Sequence, residues 1–207
     1  MNVQKIYTAV ILLFGLALVS APAGAQTSVA LSVFGALNGG STGHNTIQSP
    51  ANALGGMAEV RHFSSPLLGY EATYSYFRAN QAYSQEGAPG SCPSGKCISL
   101  PAGVSANAHE ITGDWLPSLK MGTLRLFGVF GAGALMDVPV SGMNSGTSVR
   151  VAYVYGAGVA WAISHHIGAQ FQFRGNLYKA PKLSTFYPST GTVMQTAEPM
   201  LGIYYRF

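Results

Sequence analysis

Val149-Arg-Val-Ala-Tyr-Val-Tyr-Gly-Ala-Gly-Val-Ala-Trp-Ala-Ile163 alternates in character at every step. Odd positions carry Val149, Val151, Tyr153, Tyr155, Ala157, Val159, Trp161 and Ile163. Even positions carry Arg150, Ala152, Val154, Gly156, Gly158, Ala160 and Ala162. After Ser164-His165-His166 the pattern resumes. Ile167, Ala169, Phe171, Phe173 and Leu177 share one face, and Gly168, Gln170, Gln172, Arg174 and Asn176 the other. Side chains of a strand point to opposite faces in turn, so a period of two over this length predicts two long strands joined by a tight turn.

The same period recurs at 27–37, 52–62, 67–78, 104–115, 122–136 and 196–207, with apolar faces led by Leu31, Leu54, Tyr74, Ile111, Phe130 and Leu201. Eight strands of roughly 11–15 residues are longer than the 5–6 of ordinary sheets. They suit a bilayer, which a tilted strand crosses in about 9–11 residues. The connections alternate in length. Segments 63–66, 116–121 and 164–166 are short turns, while 38–51, 79–103, 137–148 and 179–195 are long and rich in Gly, Ser, Thr, Asn and Pro. Short turns on one side and long loops on the other are the pattern of an up-and-down transmembrane barrel.

The charges sharpen this reading. The face opposite the apolar one carries Glu59, Arg61, Glu71, Glu110, Asp114, Arg125, Arg150, Arg174, Glu198 and Arg206, and its bases are all arginine. The lysines Lys96, Lys120, Lys179 and Lys182 fall in loops or turns. A soluble barrel would turn its apolar face inward. Here the charged face also holds the small residues, as the crowded interior of a narrow barrel requires. Equal numbers of acids and arginines predict an internal network of ion pairs. Asn107 and His109 stand on the outward parity of the fourth predicted strand and are placed above the bilayer. Tyr70, Trp115, Trp161 and Phe207 form an expected aromatic girdle at the periplasmic ends.

Only 9% of the chain is charged, against about 25% in ordinary domains, yet its apolar content argues against disorder. After residue 25 no apolar run is long enough for a spanning helix. At the N-terminus, Lys5, the apolar run from Ile6 to Val19 and Ala23-Gly-Ala25 form the three regions of a secretory signal peptide. The expected division is therefore a signal at 1–25 and a barrel at 26–207. An exported chain meets oxidising conditions, so Cys92 and Cys97 are expected to close a small disulfide loop. A zinc site would need two further ligands, and only His109 is near in sequence.

Catalytic and cofactor motifs are sparse. His62-Phe63-Ser64 has the spacing of a His–Ser pair but falls at a periplasmic turn, and a polar turn is the plainer reading. Adjacent His165 and His166 point to opposite sides of a strand and make a poor metal pair. Gly39-Gly40 and Gly55-Gly56 lack the Lys-Ser/Thr of a phosphate loop. Basic residues do not cluster in sequence, which speaks against nucleic-acid binding. No catalytic residue, metal or cofactor is expected.

The chain ends Glu198-Pro-Met-Leu-Gly-Ile-Tyr-Tyr-Arg-Phe207. Gly202, Tyr205 and the terminal Phe207 resemble the signal by which assembly machinery recognises outer-membrane barrels. With Tyr155-Gly-Ala-Gly-Val159 and Phe173-Arg-Gly-Asn-Leu-Tyr-Lys-Ala-Pro181, the mature chain resembles the OmpA-like eight-stranded outer-membrane barrels, without their peptidoglycan-binding domain. That resemblance implies an all-β, eight-stranded antiparallel barrel, monomeric in outer-membrane lipid, delivered by the secretion translocon and the barrel-assembly machinery. The expected role is non-enzymatic: structural, or surface contact through the long loops, whose ligand the sequence does not name. The alternatives are a narrow small-solute pore and a lipid-A-modifying enzyme.

Overall fold

The structure is a computed structural model and describes residues 26–65, 67–85, 102–141, 146–184 and 187–207. Eight long strands form the wall: β1 (Gln26–Asn38), β4 (Ala53–Phe63), β5 (Gly69–Gln85), β6 (Ala102–Trp115), β8 (Leu124–Ser141), β9 (Ser148–Ala162), β10 (Ile167–Lys179) and β11 (Val193–Arg206). Each pairs antiparallel with its neighbour, and β1 pairs with both β4 and β11, so the sheet closes. Closure leaves no unpaired strand edge, which is what a backbone in hydrocarbon requires. Three short strands complete the element order: β2 (Ser41–Gly43), β3 (Thr46–Pro50) and β7 (Ser118–Met121).

The wall is apolar outside. Leu31, Val33 and Ile203 are each 66–68% exposed, and Leu54, Phe130, Val151, Phe171 and Leu201 join them. Such a continuous apolar band is far larger than soluble monomers tolerate. It matches the lipid-facing belt of a transmembrane barrel. Tyr70, Trp115, Trp161 and Phe207 are all exposed near the end that carries Gln26 and Arg206. There the indole of Trp115 donates to the Leu67 carbonyl at 2.7 Å.

The four long segments expected to be loops all contain strand residues, and the expected turn 116–121 holds β7. β5 continues seven residues past its predicted end, and β8 runs on to Ser141. Segment 38–51 holds the hairpin of β2 and β3, with His44 and Asn45 at φ 50° and 57°. Positive φ at both central residues is the geometry whose twist suits a two-residue hairpin. The hairpin leans on residues 187–192: Ser41 Oγ lies 2.9 Å from Thr190 Oγ1, and His44 Nδ1 lies 3.0 Å from the Ser189 carbonyl.

The extra length has a physical reason, visible on β5 and β6. Low on β5 the inward residues are Glu71, Thr73 and Ser75, and Tyr70, Ala72 and Tyr76 face out. Above Tyr76 the pattern inverts. Phe77, Ala79 and Tyr83 are buried inside, whereas Arg78, Asn80 and Ala82 are exposed. On β6 the inward series passes from Asp114, Thr112 and Glu110 to Ala108, Ala106 and Val104. The two inversions lie side by side, because Tyr76 pairs with His109 and Phe77 with Ala108. An apolar interior under a polar exterior is how a barrel packs in water. The upper ends of β5 and β6 are therefore built as a soluble barrel standing on a transmembrane one.

Candidate functional site

The lumen is stacked in three layers, and the middle one holds most of the charge. Arg61 pairs with Glu59, two residues along its own strand, and with Glu71 directly across on β5. Its Nη1 and Nη2 donate to Gln170 Oε1 and Gln172 Oε1, both at 2.6 Å. Arg174 reaches Glu71 at 3.4 Å, Asp114 at 3.3 Å and Glu110 at 3.8 Å, and donates to Thr112 Oγ1 at 3.0 Å. Asn176 Nδ2 donates to both Glu110 and Glu198 at 3.0 Å. Ser32 Oγ donates to Glu59 at 2.5 Å, and Gln170 Nε2 to both its oxygens. Glu71 and Asp114 sit opposite each other in register, an arrangement that repels unless a cation spans both. Arg174 is that cation, and it is fully buried.

Small residues make room for these long side chains. A Cβ at Gly131 would collide with Asp114 Oδ1 and the Gly113 carbonyl. Gly131 is the in-register neighbour of Asp114, and Gly156 that of Arg174, so the small inner face of β8 and β9 leaves space beside these side chains.

Apolar groups pack against the layer from both sides, and below it Arg61 also borders an open cavity. Above it, Phe34, Phe77, Leu135, Tyr178, Met194 and Met200 form a core with Leu183 from segment 180–192. Tyr187 stacks on Tyr83 at 5.9 Å. Below it, Leu116, Phe127, Val129 and Val154 pack together, and Arg61 lies 4.7 Å over the Phe127 ring. The upper part of the lumen is thus packed with side chains, consistent with the limited bore of eight strands.

Comparison with solved structures gives the same architecture. The neisserial surface protein NspA superposes with a TM-score of 0.55 at 12% identity, over 89% of this chain and 99% of its own. Ail, the attachment invasion locus protein of Yersinia pestis, in complex with the heparin analogue sucrose octasulfate, gives 0.53 at 13% over 88% and 99%. OprG, an outer membrane protein of Pseudomonas aeruginosa, gives 0.53 at 12% over 89% and 96%.

The chain has the fold of the eight-stranded outer-membrane barrels.

No family model and no curated protein matches it in sequence. Against this barrel frame the sequence-derived residues can be placed. Glu59, Arg61, Glu71, Glu110, Asp114, Arg174 and Glu198 meet in the middle layer. The expected balance of acids and arginines is not local, however. Five carboxylates face two arginines there, and neutral donors from Gln170, Asn176, Ser32 and Thr112 fill in. Arg150 lies higher. It pairs with Asp137, donates to the Lys179 carbonyl at 3.0 Å and covers Tyr178. Asp137 was hidden in sequence because its segment reads as a loop. Arg125 and Arg206 lie at the opposite, lower mouth and have neutral hydrogen-bond partners.

Gly202 faces inward against Ser32, while Tyr205 and Phe207 face out in an edge-to-face pair at 5.2 Å. The ring of His166 stacks on Tyr205 at 5.8 Å. Cys92 and Cys97 lie outside the described residues, as does segment 1–25. His62 and Ser64 do meet: His62 Nε2 lies 3.0 Å from Ser64 Oγ, and its Nδ1 lies 3.0 Å from Thr27 Oγ1. The third member is a hydroxyl, with no carboxylate to orient the imidazole and stabilise its charged form, so the trio lacks the basis of an activated nucleophile. It also sits at the end where β1 starts and β11 finishes.

Proposed function

We propose that the protein is a non-enzymatic barrel of a bacterial outer membrane that acts at the cell surface through its projecting upper end. The observation that carries this reading is the paired inversion on β5 and β6. It extends a packed, water-facing structure well above the apolar belt, where the β2–β3 hairpin meets residues 187–192. Surface contacts are generally made by loops held on such rigid supports. Segment 1–25 serves as the export signal, and Gly202, Tyr205 and Phe207 as the assembly signal. Cys92 and Cys97 pair as a disulfide under the oxidising conditions that an exported chain meets.

Native lysines test the orientation. Lys179 and Lys182 are exposed at the upper end, and Lys120 is exposed at the lower end. A bulky, membrane-impermeant amine reagent applied to intact cells should modify Lys179 and Lys182 and spare Lys120. Modification of Lys120 with protection of the other two would invert the barrel and sink the reading. Replacing residues 41–50 with a short Gly–Ser link should then abolish surface contacts while leaving heat-modifiable gel mobility intact.

A further inference from the structure

The lower mouth of the barrel opens into a cavity of about 460 Å³. Its wall includes Arg61, Lys120, Arg125 and Arg206, together with Ser28 and Tyr204. Among the described residues that line it there is no Asp or Glu. Arg61 is neutralised from above by Glu59 and Glu71. The other three cations are not so placed. The guanidinium of Arg125 donates to Gln26 Oε1 at 2.7 Å and Ser118 Oγ at 3.2 Å, and lies 4.1 Å over the Phe63 ring. Arg206 donates twice to the His165 carbonyl, at 3.0 and 2.5 Å. Among the described residues, none of the three makes an ion pair, and Glu59 and Glu71 are engaged by Arg61 and Arg174.

We infer that this vestibule is an oxyanion site, taking a phosphate or carboxylate group. Positive charges drawn together in a partly enclosed cavity repel one another, and an anion between them removes that cost. Guanidinium forks offer the paired N–H geometry that phosphate and carboxylate oxygens accept, and such charge-assisted bonds are about twice as strong as neutral ones. Lys120 adds a point charge on a flexible stem at the rim. The cavity is roomy enough for the group to be free or carried on a larger molecule. Lys120 on β7 and Arg125 on β8 are cross-strand partners, and Arg206 joins them from the end of β11, three strands away along the wall.

The site is tested on the full chain folded into a non-ionic maltoside detergent, with inorganic phosphate titrated at ionic strength held constant by chloride. Side-chain Nε–H resonances of Arg125 and Arg206 should shift saturably, and that of buried Arg174 should not. The double variant Arg125→Gln, Arg206→Gln should bind phosphate at least ~10-fold more weakly, with heat-modifiable mobility showing that it is folded. If it does not fold, Lys120→Gln replaces it, with an expected loss of about threefold. A second arm uses nanodiscs with and without phosphatidylglycerol. Saturation by free phosphate supports a soluble occupant. A shift seen only with phosphatidylglycerol supports the same site holding a lipid headgroup. A response that stays linear, that chloride reproduces, or that survives these substitutions overturns the inference.

Discussion

The lower and upper halves of β5 and β6 are the same two strands in the same register, yet they are built on opposite rules. Below Tyr76 and His109, acids and hydroxyls face in and apolar groups face out. Above them, Phe77, Tyr83, Val104 and Ala106 face in, and Arg78, Asn80 and Asn107 face out. One lesson follows about reading such chains. Period-two alternation identifies the strand, but the polarity of the inner face reports the solvent outside. Where lipid covers the wall, apolar groups satisfy the outside and the inside is free to carry a polar network. Where water covers the wall, the barrel must take its apolar core inside.

Substitutions can break this comparison. The largest effect is expected in the charged layer. Arg174→Leu removes the cation that spans Glu71, Asp114 and Glu110, and breaking a buried pair typically costs about 3–5 kcal/mol. The urea midpoint of the folded barrel should fall accordingly; an unchanged midpoint would mean the layer is not a network. Next comes the belt. Val33→Arg puts a charge on the lipid face near mid-height and should cost ~2–4 kcal/mol in lipid vesicles. A loss in vesicles below 1 kcal/mol would argue that lipid does not cover Val33.

The upper half should respond to packing instead. Leu135→Ala, in the apolar core above the charged layer, should cost about 2–3 kcal/mol. The smallest effect is expected at Ala82→Arg, which places a charge on the outside of β5 above the inversion. There water covers the wall, and the change in stability should stay within ~0.5 kcal/mol. Measured beside Val33→Arg, it locates the membrane surface: equal penalties at both positions would erase the distinction between the halves.

Much of the wall was legible because alternation is a local signal. β9 and β10 are bounded by their pattern to within a residue or two, and the turn of Ser164 to His166 follows from it. The upper extensions were not legible, because inverted polarity looks like a break in the pattern. That is why segments 79–103 and 137–148 read wholly as loops and Asp137, the partner of Arg150, went unseen. Parity did turn Arg125, Arg150 and Arg206 inward, but it carries no information on height along the barrel. Only the closed sheet separates them into an upper pair and a lower vestibule. The His62–Ser64 contact was suggested by its spacing, whereas Thr27 reaches it from a different strand.

The central claim is that the lumen is filled in layers and closed to water by its apolar upper core. Single-channel recording of the folded protein in a planar bilayer tests it most directly, with heat-modifiable mobility confirming the fold. The account predicts a silent membrane at any applied polarity. Steady, discrete conductance would contradict it, because water and ions would then be threading past Leu135, Tyr178 and Leu183.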